Sequence, residues 1–112
     1  MTRTASLARL QLFGGFALVA DGLPARPVAL RRAQALLAYL ALKDSRSEAR
    51  ETLIDLLWPD RFKAQAQASL RQVLFELRAI PGVGSGLLVA TRERIALGPA
   101  IAGCDAWDFE AA

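Results

Sequence analysis

The stretch Lys63-Ala64-Gln65-Ala66-Gln67-Ala68-Ser69-Leu70-Arg71-Gln72-Val73-Leu74-Phe75-Glu76-Leu77-Arg78-Ala79 decides how this chain is read. Ala66, Leu70, Val73, Leu74 and Leu77 recur three and four residues apart, which is the apolar face of a helix. With that face turned inward at about 100° per residue, Gln65, Ala68, Gln72 and Phe75 point most directly outward. Arg71 and Arg78 fall on one flank, Ser69 and Glu76 on the other. Pro81 and the glycines behind it end the helix. An outward row of glutamine and arginine suits a polar, anionic partner, although an ordinary solvated helix face shows the same residue types.

Working upstream, residues 48–58 give a second helix that buries Leu53, Ile54, Leu57 and Trp58, with Pro59-Asp60 as its stop. Ser47 is its expected N-cap, with Arg50-Glu51 in the first turn. Residues 31–43 give another helix, carrying Ala33, Leu36, Leu37 and Leu40 on one face. Before it come short strand patterns. One covers 7–13, broken by Gly14-Gly15; a second covers 16–20, closed by Asp21-Gly22; a proline-marked third covers 26–30. Downstream, 87–91 and 94–97 are two apolar runs joined by Arg92-Glu93, a hairpin pattern. The predicted order is an antiparallel sheet, three helices and a hairpin, an α+β fold within residues 1–103. Residues 104–112, with Trp107 and Phe109, read as the start of a following domain or linker. The other reading is that these aromatics fold back onto the first domain.

Composition narrows the chemistry. The chain has 112 residues, enough for one domain with a real core. Its hydrophobic share is 54%, yet no apolar run approaches the roughly 20 residues of a membrane span. No apolar segment follows Met1–Ser6, so no export signal is expected and a cytoplasmic location is. There is no histidine, which removes His-based general bases, triads and metal sites. Cys104 stands alone, without a partner for a disulfide or a thiolate zinc site, and reads as a small buried apolar residue. The segment Gly82-Val83-Gly84-Ser85-Gly86 has no helix behind it and is not a phosphate loop. No cofactor, metal or catalytic activity is expected. Net charge is +3, and of the 14 basic residues only Lys43 and Lys63 are lysines. Arginine suits phosphates and base edges, although a GC-rich genome produces the same bias.

Three helices followed by a hairpin is the order of a winged helix-turn-helix. The sequence resembles the DNA-binding domain of two-component response regulators of the OmpR/PhoB type. It looks more like the amino-terminal domain of the antibiotic regulatory protein (SARP) activators. The residues that carry the likeness are Leu12-Phe13-Gly14-Gly15-Phe16, Arg32-Ala33-Gln34-Ala35-Leu36-Leu37-Ala38-Tyr39-Leu40-Ala41-Leu42 and Arg50-Glu51. Leu56-Leu57-Trp58-Pro59-Asp60, Ala66-Gln67-Ala68-Ser69-Leu70-Arg71-Gln72-Val73-Leu74 and Leu77-Arg78 complete them. The tail Asp105-Ala106-Trp107-Asp108-Phe109 resembles the entry into that family's helical-repeat domain. The sequence departs from the family at Phe75, where a small or polar residue is usual, and at Ala79-Ile80, where a further basic residue is.

The resemblance implies a bacterial, nucleoid-associated transcription activator that binds double-stranded DNA, on direct repeats, and contacts RNA polymerase through Pro59-Asp60-Arg61-Phe62. The isolated domain is expected to be a monomer, with a dimer on DNA as the alternative. The 63–79 helix would enter the major groove. Gln72 there suits bidentate contact with adenine, and Arg71 suits guanine or phosphate. Gln65 and Ser69 suit backbone contacts, and Arg78 lies on the same flank as Arg71. Phe75 suits a thymine methyl or a protein partner. The hairpin tip would be the wing, with Arg92 and Arg94 directed at the minor groove. Arg50, Lys63, Arg61, Arg31 and Arg32 are expected on phosphates. The competing reading is a winged-helix protein–protein interaction module that no longer binds DNA, which Phe75 and Glu76 on the outward face favour.

Overall fold

A computed structural model describes residues 8–12, 16–20, 31–80 and 84–107. The Gly14-Gly15 break, the Asp21-Gly22 turn, the strand expected at 26–30, the Pro81 stop and Phe109 lie outside the described residues. β1 (Ala8–Gln11) turns Ala8 and Leu10 into the core and Arg9 outward, the period-2 alternation of a half-buried strand. It pairs antiparallel with β2 (Ala17–Ala20), placing Leu10 opposite Leu18. Its other edge takes β6 (Ile101–Cys104) in parallel, with Leu10 opposite Cys104. The leading sheet is therefore mixed, not antiparallel as its first two strands suggest. A parallel neighbour needs a long crossover, and the helices together with the hairpin supply it.

Between these strands lie α1 (Arg31–Leu42), β3 (Ser47–Ala49), α2 (Arg50–Leu57) and α3 (Lys63–Arg78), then a short 3-10 turn at Gly84–Gly86, β4 (Leu88–Ala90) and β5 (Arg94–Leu97). β4 and β5 form the expected hairpin, and β3 adds to the far side of β5, giving the order β3-β5-β4. The helix faces match their periodicity. α1 buries Ala33, Leu36, Leu37, Leu40 and Ala41; α2 buries Leu53, Ile54 and Leu57; α3 buries Ala66, Leu70, Val73, Leu74 and Leu77. Each leucine so placed contributes about 1.5–3 kcal/mol of transfer free energy. Among the described residues no polar or charged residue is buried, and no helix is long and apolar enough to cross a membrane.

The start of α2 corrects an expectation. Ser47 is not its N-cap: it lies in β3, opposite Ala96, and its hydroxyl accepts from Arg94 Nε at 3.0 Å. The cap residue is Ala49, which has no capping side chain. Its work is shared by the hairpin, since Arg50 N–H donates to the Glu93 carbonyl at 2.9 Å. A helix terminus leaves orphan donors, and here a turn distant in sequence takes one of them.

β6 crosses the boundary expected after residue 103. Cys104 is fully buried, Asp105 Oδ1 accepts from Leu12 N at 2.9 Å, and Ala106 joins the core. Trp107 donates from Nε1 to the Ala41 carbonyl at 2.6 Å, and the Arg46 guanidinium lies 4.3 Å from its ring centroid. Through Trp107 the tail is packed on the helices.

Candidate nucleic-acid interface

α3 is 16 residues long, about 24 Å at the helical rise. Its apolar face is closed by α1 and α2, which leaves the opposite face to solvent. On that face Gln65, Ala68, Arg71, Gln72, Phe75, Glu76 and Arg78 are all exposed. Phe75 is 66% exposed, unusual for so large an apolar side chain. Ser69 is half-buried, and its hydroxyl lies 2.7 Å from Arg61 Nη1, which donates to it. Gln72 Nε2 donates to Glu76 Oε1 at 2.8 Å, one turn along the same row.

The hairpin turn stands beside this helix because α2 holds it there. Thr91 N–H donates to the Arg94 carbonyl at 2.9 Å, and Arg94 N–H donates to Thr91 Oγ1 at 3.0 Å. Arg50 then clamps the turn from α2: its backbone N–H donates to Glu93 and its Nε to the Thr91 carbonyl at 2.7 Å. A groove of about 590 Å³ results, lined by the α2 start, the α3 residues Gln67, Leu70 and Arg71, and Arg92-Glu93 of the turn. A shallower depression of about 340 Å³ continues along α3 between Arg50, Arg71, Leu74, Phe75 and Arg78. Arg50 and Arg71 border both. Three elements thus bring Arg92, Arg50, Arg71 and Arg78 onto one continuous surface.

The partners of these side chains differ. Among the described residues Arg71, Arg78 and Arg92 meet no carboxylate. Lys63 is paired with Glu51 at 2.8 Å, which raises the lysine pKa and lowers that of the carboxyl. The pair offsets the charge of Glu51, which lines the groove, with a lysine that lies outside it. Arg94, expected at the hairpin tip, is turned along the sheet to Ser47 and stays exposed. Arg32 donates to the Leu57 carbonyl, a link between α1 and α2. Gln65 is exposed near the start of α3, away from the groove lining.

Of the expected contact residues, the structure therefore gathers Arg50, Arg71, Phe75, Arg78 and Arg92, with Gln72 on the adjoining face. It sets Lys63, Ser69 and Arg94 in contacts within the protein, and Arg50 clamps the turn through Nε while it borders the groove. Gln67 was not among the expected residues, and it lines the main groove. Its position four residues before Arg71, hence on the same flank of the helix, is the signal that finds it. Comparison with protein-family models, curated proteins and solved structures finds no match for this chain.

Proposed function

We propose that the chain is a winged helix-turn-helix domain that binds double-stranded DNA, with α3 in the major groove and the β4–β5 turn against the neighbouring minor groove or backbone. The observation that carries this reading is the run of Arg92, Arg50, Arg71 and Arg78 across the hairpin turn, α2 and α3, along two adjoining depressions that share Arg50 and Arg71. A duplex presents a phosphate on every strand at each step, and arginines without carboxylate partners are suited to neutralise them. Base edges would be met by the outward row of α3, and phosphates by Arg50, Arg92 and the helix flank. On the resemblance to the activator family, the domain works in the cytoplasm on repeated sites, and Phe62, 81% exposed on the α2–α3 loop, is the polymerase contact.

Fluorescence anisotropy of the chain on a mixed-sequence duplex tests this, with Arg71→Ala and Gln72→Ala alongside. Binding that weakens with salt and weakens further in both variants is expected. Absence of binding at low salt excludes it. The second reading, a protein-interaction module, is favoured by the exposure of Phe75 and Phe62 and gains if binding is absent.

A further inference from the structure

Gln72 and Glu76 stand one helical turn apart on the outward face of α3, both exposed, with the glutamine amide donating to the carboxylate at 2.8 Å. The bond changes what the helix offers a base edge. A free glutamine presents one donor and one acceptor side by side, the pattern that matches N7 and N6 of adenine. Tied to Glu76, one of the two amide protons is committed and the amide is held against a carboxylate that only accepts. One amide proton stays available, but the carboxylate beside it makes the edge richer in acceptors and negatively charged. In the major groove guanine and thymine offer only acceptors there, and adenine pairs its amino donor with the N7 acceptor. Cytosine offers the N4 amino donor and no acceptor of its own. Arg71, on the neighbouring flank, supplies donors only, the complement that guanine O6 and N7 require.

We propose that the Gln72–Glu76 pair is a base-selecting element that favours cytosine over adenine in the major groove, with Glu76 as the residue that sets the choice. This rests on the DNA-binding reading above and goes beyond it in assigning the specificity. Glu76 restrains Gln72 and itself accepts from the cytosine amino group. Its charge also opposes the phosphate backbone, so affinity for unrelated sequence is held down while one base pair is rewarded.

Selection from a randomised duplex pool by the unaltered chain, by Glu76→Ala and by Gln72→Ala tests the assignment. Both side chains are exposed, and circular dichroism checks that each variant keeps its helices. The unaltered chain should enrich a position with cytosine over adenine by about fivefold or more, the low end for a good base contact. Glu76→Ala frees the amide and should move that position to adenine by a similar factor. Gln72→Ala, which keeps the carboxylate, should retain cytosine with weaker binding. If all three proteins bind and enrich the same base at every position, the pair does not select and the inference falls. If the unaltered chain enriches nothing and binds no duplex at low salt, the DNA-binding reading itself falls and takes this one with it.

Discussion

Trp107 holds the described end of the chain to α1 by a single hydrogen bond to the Ala41 carbonyl and by the Arg46 guanidinium over its ring. Arg46 is itself constrained, with φ at 57° and its carbonyl accepting from Leu97 N at 2.9 Å in the hairpin sheet. Trp107→Phe keeps most of the ring and removes the donor, so unfolding in urea should show a loss of about 1 kcal/mol. Trp107→Ala also removes the packing and should lose about 2–3 kcal/mol. Equal stability of all three proteins would show that the tail contact contributes nothing. Glu48 offers a second test at this scale. The Tyr39 hydroxyl, donating at 2.6 Å, and then the Ala49 N–H hold its carboxyl down at about 2, against an ordinary 4.5. The folded state therefore favours the ionised form. Its contribution is complete above about pH 4.5 and is lost as the pH falls toward about 2. Glu48→Gln should lower stability at neutral pH and flatten the acid limb of the urea midpoint against pH. Neither contact is visible in the sequence. Tyr39 and Glu48 are nine residues apart on different elements, and Trp107 is separated from Ala41 by 66 positions.

Periodicity is a property of one element, and it is there that the sequence was most legible. The inward residues of α1 and α3 follow from spacing alone, because a helix with one apolar stripe has one way to bury it. β3 and β6 were not foreseen. Ser47-Glu48-Ala49 has no apolar alternation, and it is a strand only because the edge of β5 accepts it. The same pairing displaced Ser47 from its expected cap. Gly98 lies where two turns meet: a β-carbon there would approach the Gly86 carbonyl oxygen to 2.2 Å. Gly98 N–H and Ala100 N–H fix the approach by donating to Leu87 and Gly86 at 2.7 and 2.9 Å. Gly98→Ala should therefore destabilise by about 1–3 kcal/mol, as overpacking does, in thermal or urea unfolding. An unchanged midpoint would mean that the turns separate freely.

The basic surface belongs to the whole molecule. Arg50, Arg71 and Arg92 are contributed by α2, α3 and the hairpin turn, and no window of sequence contains all three. The sequence supplied the residues, and the clamp of Arg50 on Thr91 and Glu93 supplied their convergence. Phe62 is a separate surface. Phe62→Ala should leave stability within about 0.5 kcal/mol; the proposed polymerase contact predicts lower transcription from an intact promoter, and unchanged transcription removes that proposal. The most direct measurement is the slope of log affinity against log salt for the chain on a mixed-sequence duplex, repeated with Arg71→Ala and Arg92→Ala. DNA binding predicts a linear fall with salt, and a slope smaller by about one in whichever variant loses a phosphate contact. No binding at low salt, or binding indifferent to salt and to both substitutions, would contradict it.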